Sequence, residues 1–162
     1  MSTRRTNKAF TLIELLVVIA IIAILSAILR RVQHELFNLG SILATLPEDV
    51  HPKQPRVTEA EVAQLEREID RMNAELAPLR SFVLPGGSRL NAELHLARTV
   101  CRRAERLVTA LVREDHASVE SLRYLNRLSD ALFVLARWVA RGKTGADVYW
   151  KRPPEKSKPD SG

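Results

Sequence analysis

From Phe10 to Leu29 the chain is apolar at every position except Thr11, Glu14 and Ser26, with no amphipathic period. At about 1.5 Å rise per residue, a helix of roughly 20 apolar residues is long enough to cross a bilayer core of about 30 Å. Arg30 and Arg31 end this run, and the pattern then becomes that of a water-facing helix through Leu36, Leu39 and Leu43, up to Pro47. The prolines at 47, 52 and 55 predict a loop. Thr58 and Glu61 form a capping-box pair and Val57 can staple onto Val62, so a helix starts there. Its apolar positions Val62, Leu65, Ile69, Met72 and Leu76 alternate threes and fours, and Pro78 is its expected stop. After the non-helical passage Arg80–Gly87, Ser88 is an N-cap for a long helix with a seam of Leu90, Leu94, Ala97, Cys101, Ala104, Val108 and Leu111. A break covers Glu114 to Ala117. The last helix is expected from Ser118 to Arg141, with Leu122, Leu125, Leu132, Leu135 and Val139 inward and Gly142 as its stop. With no strand pattern and no repeat, the fold class is all-α, a helical bundle preceded by an apolar helix.

Composition adds constraints. A chain of 162 residues suits one modest domain, and its formal net charge of +6 is unevenly placed. Arg4, Arg5 and Lys8 crowd the start, and a second basic cluster lies between Arg98 and Arg113. Such a balance suits nucleic acid, an anionic membrane or a phosphate-bearing small molecule, and composition does not choose. Cys101 is the lone cysteine, which excludes an intrachain disulfide. His34, His51, His95 and His116 have no ligand spacing, so no metal site is expected. The Pro- and Lys-rich stretch 153–162 reads as a disordered tail.

The amino terminus carries the first resemblance. A basic leader, then Phe10-Thr11-Leu12-Ile13-Glu14, then the unbroken apolar helix, is similar to the prepilin signal of type IV pilins and type II pseudopilins. That resemblance implies cleavage between Ala9 and Phe10 and membrane association through residues 10–29, although the family usually has Gly where Ala9 stands. A secretory signal fits worse, because Leu25-Ser26-Ala27 lacks the small-x-small pattern. The bland alternative is a buried core helix.

Candidate chemistry lies on the helix after Ser88. Arg98, Arg102 and Arg106 fall in one stripe bordering the apolar seam, with Glu105 beside it. Stacked guanidinium groups at a groove edge suit a polyphosphate. Equally, the stripe reads as a solvated flank in which Glu105 pairs with Arg102. Asn126 borders the last helix, with Asp130 a turn further on, either as a donor to phosphate or ribose or as a boundary residue. Phe82, before a Pro-Gly-Gly turn, either folds onto the core or caps a flat ligand. His95 reads as a polar flank residue.

Beyond these patterns, Arg80-Ser81-Phe82-Val83-Leu84-Pro85-Gly86-Gly87-Ser88 resembles a signature of the ATP:cob(I)alamin adenosyltransferases. So do Leu94-His95-Leu96-Ala97-Arg98-Thr99-Val100-Cys101-Arg102-Arg103-Ala104-Glu105-Arg106 and Tyr124-Leu125-Asn126-Arg127-Leu128-Ser129-Asp130-Ala131-Leu132-Phe133. Gln33-His34-Glu35-Leu36-Phe37-Asn38-Leu39-Gly40 is similar to the family's second helix. The resemblance divides the chain into a prepilin-like part, 1–31, an adenosyltransferase-like helical domain, 32–152, and the tail. It implies a soluble, cytoplasmic homotrimer with active sites between subunits and no nucleic-acid partner. The implied reaction moves the 5′-deoxyadenosyl group of ATP, bound with Mg2+, onto cob(I)alamin. By the same resemblance Arg102, Glu105, Arg106 and Asn126 contact ATP. Phe82 packs on the corrinoid's lower face and excludes its axial ligand, and Arg98 forms a salt bridge at the corrinoid pocket.

The chain departs from the family in one respect. The family opens with a Gly-rich Thr-Gly-Asp-x-Gly loop and a helix carrying Asp-Glu-Leu, whereas the first glycine here is Gly40. Impaired activity is therefore expected, as is a missing acidic partner for Arg98. The competing expectations are a membrane-anchored, pseudopilin-like protein with a non-catalytic helical domain, held at the inner membrane, and a corrinoid-binding module without ATP chemistry.

Overall fold

The computed structural model describes residues 12–144 and 148–151; the leader, the Ala9–Phe10 junction and the 153–162 tail lie outside them. The described residues are all-helical: α1 (Leu12–Leu43), a 3-10 turn (Pro47–Asp49), α2 (Glu59–Asn73), α3 (Arg89–Arg113) and α4 (Val119–Thr144). An isolated bridge between Val83 and Tyr149 is the one β-type pairing among them.

Helix starts follow their local chemistry. The Thr58 hydroxyl accepts from the Ala60 amide, while the Glu61 carboxylate accepts from the Thr58 amide at 2.7 Å and hydroxyl at 2.6 Å. Val57 and Val62 both reach the core. Ser88 caps α3 by accepting from the Asn91 amide at 3.2 Å. At the far end of α3, Asp115 takes φ 57°, and the His116 amide returns to the Leu111 carbonyl at 2.8 Å. This is a left-handed closure that satisfies the last carbonyls.

Two expected stops are displaced. α2 ends at Asn73, well before Pro78, because Glu75 and Leu76 turn back tightly onto the Met72 and Asn73 carbonyls. A proline disfavours helical backbone in the residue before it, so its influence is felt upstream. α4 runs through Gly142 to Thr144. Glycine permits a left-handed stop without requiring one, and costs a helix interior only about 1 kcal/mol.

The core is an α3–α4 hairpin with α2 laid along α4 and α1 touching α4 more sparsely. α4 is the central element, buried almost all round from Leu128 to Ala140. α1 has two characters. Leu25, Ile28, Val32, Glu35 and Leu39, at spacings of three and four, are buried against the bundle. Towards its start, Leu12, Ile13, Leu15, Leu16, Val17, Ile19 and Ile22 are all exposed. The helix is long and apolar enough to cross a membrane, and only 17% of its most apolar window is buried.

α1 is joined to the bundle by a buried polar chain. Tyr124, fully buried on α4, donates to Glu35 at 2.6 Å, and Arg31 bridges Glu35 and Glu68 at 2.5 Å each. Burial first, then the hydrogen bond to Glu35, pushes the Tyr124 hydroxyl well above the usual phenol range, so it stays a donor. Between α1 and α3 an apolar groove of about 540 Å³ remains open, floored by Leu125, Leu128 and Leu132.

Candidate functional site

The border stripe of α3 meets α4 at Glu105. Its carboxylate is largely buried, with 13% of the side chain exposed, and sits between two donors. Arg102 donates to it at 2.6 Å from one turn back, and Asn126 Nδ2 donates at 2.9 Å across from α4. Asn126 Oδ1 accepts in turn from Arg127 at 2.8 Å, and Arg127 reaches Asp130 at 3.3 Å. The hydrogen bonds fix the amide orientation of Asn126, with its NH2 towards Glu105 and its carbonyl towards Arg127.

This chain edges a cleft of about 470 Å³ that also takes in Glu66, Thr109 and Arg123. Arg123 forks onto Glu59 at 2.5 and 3.0 Å, which closes that end of the cleft to α2. Arg106 stands exposed one turn beyond Arg102. Arg102 itself is about half exposed, so much of its donor fork still faces solvent. The Glu105 carboxylate thus holds one guanidinium and one amide in fixed positions, an arrangement in which donors are set in place by the fold.

Arg98 turns away from that chain. Its guanidinium lies over the Phe133 ring, 4.7 Å from the centroid, and its buried Nε has no hydrogen-bond partner among the described residues. His95, expected on a polar flank, is instead buried beside the same ring in an edge contact at 6.0 Å. The imidazole is flat enough to pack as a core group against α4. Phe82 does not fold onto the core. It is 78% exposed in the α2–α3 loop, with its ring edge-on to Trp150 at 6.4 Å.

The structure thus brings Arg102, Glu105 and Asn126 into one hydrogen-bonded unit, leaves Arg106 exposed one turn beyond Arg102, and sets Arg98 and Phe82 elsewhere. Arg123 and Arg127 were missed, although Arg123 lies three residues before Asn126 and four before Arg127, spacings that set it beside each of them on the helix surface. Cys101 lies below the stripe, donating to the Leu125 carbonyl at 3.3 Å. Burial, helped by Glu105, pushes its thiol up to about 11, so it is not a nucleophile at neutral pH. Among the described residues no three His, Cys, Asp or Glu side chains converge as a metal site would need.

The site is thus a polar, arginine-edged cleft between the long helices of an all-α bundle. Residues 8–139 match the family model described as cobalamin adenosyltransferase, a span that takes in α1. The chain belongs to that family. It is 48% identical over 131 residues to a corrinoid adenosyltransferase of Mycobacterium leprae, covering 76% of this chain and 66% of that one. It is 46% identical over 129 residues to a cobalamin adenosyltransferase of Cupriavidus metallidurans, covering 80% and 67%. The chain therefore spans about two thirds of the length of these bacterial relatives, and 52% of a human corrinoid adenosyltransferase to which it is 38% identical. Among solved structures it is similar to PduO-type ATP:corrinoid adenosyltransferase variants from Lactobacillus reuteri. One, complexed with ATP, superposes with a TM-score of 0.73 at 32% identity, covering 82% of this chain and 74% of that one. Another, complexed with cobalamin and ATP, gives 0.72 at 34% identity, with 80% and 71% covered.

Proposed function

We propose that this chain transfers the 5′-deoxyadenosyl group of ATP to cob(I)alamin. The nucleophilic cobalt forms a bond to C5′, the C5′–O bond breaks, and triphosphate leaves with that electron pair. The observation that carries this reading is the Arg102–Glu105–Asn126 unit across α3 and α4. In it, Glu105 orients Arg102 and Asn126 towards the nucleotide, and Arg106 meets triphosphate charge from the exposed rim. Mg2+ travels with ATP and neutralises part of that charge. The exposed Phe82 ring offers a flat apolar face to the corrinoid's lower side, and Arg98 stands at the edge of the corrinoid pocket. No side chain is asked to act as acid or base, because the reduced corrinoid is already a strong nucleophile and the protein positions both reactants.

The working form is a homotrimer of the 32–152 domain, for which the exposed Leu96, Val100 and Leu107 on α3 offer an apolar surface. The enzyme domain resides in the cytoplasm. A second reading, favoured by the exposed apolar half of α1, holds it at the inner membrane through the prepilin-like segment, residues 10–29. The test is calorimetry of ATP and of triphosphate on the full chain and on Arg106→Ala, together with adenosylcobalamin formation from ATP and reduced cobalamin. The variant is expected to bind about 1.5–3 kcal/mol more weakly, the range for bonds to a charged group. Equal affinity would return the stripe to a solvated flank. Corrinoid binding without ATP binding would favour a non-catalytic corrinoid module, and binding of neither would favour a pseudopilin-like protein with an inert helical domain.

A further inference from the structure

After α4 the chain returns to the α2–α3 loop. Val83 and Tyr149 form the antiparallel bridge, which places Phe82 directly opposite Trp150. The Trp150 amide donates to the Phe82 carbonyl at 2.9 Å, and the Leu84 amide donates to the Val148 carbonyl at 2.7 Å. The Ser81 hydroxyl donates to the Trp150 carbonyl at 3.0 Å. Opposed residues of an antiparallel pair project to the same side, and here the two rings meet at 78° between planes with centroids 6.4 Å apart. The other end of the loop is pinned as well. The Gly86 amide donates to Asn91 Oδ1 at 3.2 Å, and the buried Asn91 donates from Nδ2 to the Ala136 carbonyl of α4 at 2.8 Å.

An exposed phenylalanine on an unsupported loop samples its rotamers and tends to collapse onto nearby apolar surface. Phe82 instead stands 78% exposed, with its ring against Trp150. The constraint comes from the 148–150 segment: the backbone ladder sets the height of the loop, and the indole blocks one side of the ring. Phe82, Leu84, Val148, Tyr149 and Trp150 together leave an apolar surface facing solvent.

We propose that Trp150 is a positioning residue for Phe82, holding its ring outward in the orientation that meets the flat lower face of the corrinoid. The proposal rests on the corrinoid-facing role of Phe82 proposed above. Trp150 acts through Phe82 and leaves the Arg102–Glu105–Asn126 unit untouched.

The test uses the full chain, Phe82→Ala, Trp150→Ala, Trp150→Phe and the Phe82→Ala/Trp150→Ala double variant. Each is titrated with cob(II)alamin in the presence of ATP, reading the fraction of corrinoid that has lost its lower axial ligand from its absorbance and paramagnetic resonance spectra. The kcat and the KM for ATP are then measured. Trp150→Ala is expected to lower the ligand-free fraction and to reduce kcat by about tenfold, less than the roughly 100-fold that a 1 Å misplacement can cost. Its KM for ATP should not move. Trp150→Phe, which keeps a ring in the same place, should recover most of the loss, and the double variant should be no worse than Phe82→Ala. A wild-type spectrum and kcat in Trp150→Ala, with Phe82→Ala impaired, would overturn the proposal. So would additive losses in the double variant, which would make Trp150 act independently of Phe82. If Phe82→Ala itself changes nothing, the corrinoid role of Phe82 fails and the proposal with it. Should Trp150→Ala unfold, Ser81→Ala loosens the same clamp by removing the hydroxyl bond to the Trp150 carbonyl, and amide exchange at Leu84 reads it directly.

Discussion

The buried chain Arg31–Glu35–Tyr124 makes a quantitative prediction about how α1 is docked. Tyr124→Phe removes a hydroxyl from a fully buried site and leaves Glu35 with Arg31 alone. A hydrogen bond to a charged acceptor contributes about 1.5–3 kcal/mol, and the loss should fall in that range. Glu35→Ala is harsher. It leaves the Tyr124 hydroxyl without its acceptor in the core and strips Arg31 of one of its two carboxylates. Breaking a buried pair from one side costs about 3–5 kcal/mol, so Glu35→Ala should cost more than Tyr124→Phe. The two changes remove the same bond, and the double variant should cost less than the sum by about 1–3 kcal/mol. Urea unfolding of the full chain in mild detergent gives all three numbers. Amide exchange should show the stretch from Arg31 to Leu39 opening first, because α1 touches the rest of the bundle sparsely. Additive costs below about 1 kcal/mol each would refute the reasoning and leave α1 held by Leu25, Ile28, Val32 and Leu39.

Three further outcomes are expected. In Glu61, burial would raise the carboxyl, yet the Thr58 hydroxyl and amide outweigh it and hold the group below its usual range; the stability this contributes is present above the unfolded value, about 4.3, and fades as pH falls through the folded one. Thr58→Ala should cost about 0.5–2 kcal/mol at neutral pH and flatten that acid limb in thermal melts, and an unchanged limb would count against the capping box. Cys101, with its thiol pushed up to about 11, should resist iodoacetamide at pH 7.5 until the protein unfolds, and rapid native labelling would contradict its burial. If the exposed half of α1 sits in lipid, the chain should stay with membranes through high-salt and alkaline washes, which do not weaken apolar burial, whereas release of a soluble trimer would sink the anchor.

Much of the architecture was legible because helix chemistry is local. Thr58 with Glu61, and Ser88 before a four-three seam, locate two helix starts within a residue. The ends were less legible, since a stop depends on which carbonyls find partners: the tight turn after Asn73 and the passage through Gly142 both follow from neighbouring backbone. At the site, helical spacing put Arg102 beside Glu105, but spacing has no view of a second helix, so the Asn126 contact emerged only in the fold. For the same reason His95 was misplaced, since burial under Phe133 is decided by α4. The pairing of Phe82 with Trp150 joins residues far apart in the chain and leaves no periodic trace.

α1 has no joint. Its 32 residues form a single rod of about 48 Å at about 1.5 Å per residue, and Glu35 and Arg31 brace its lower half to α2 and α4. Were the upper half held, in lipid or by a partner, that grip would set the tilt and height of the domain, including the mouth of the arginine-edged cleft. A flexible tether would let the domain tumble and sample every orientation, whereas a stiff rod held at one end would fix the direction from which ligands arrive.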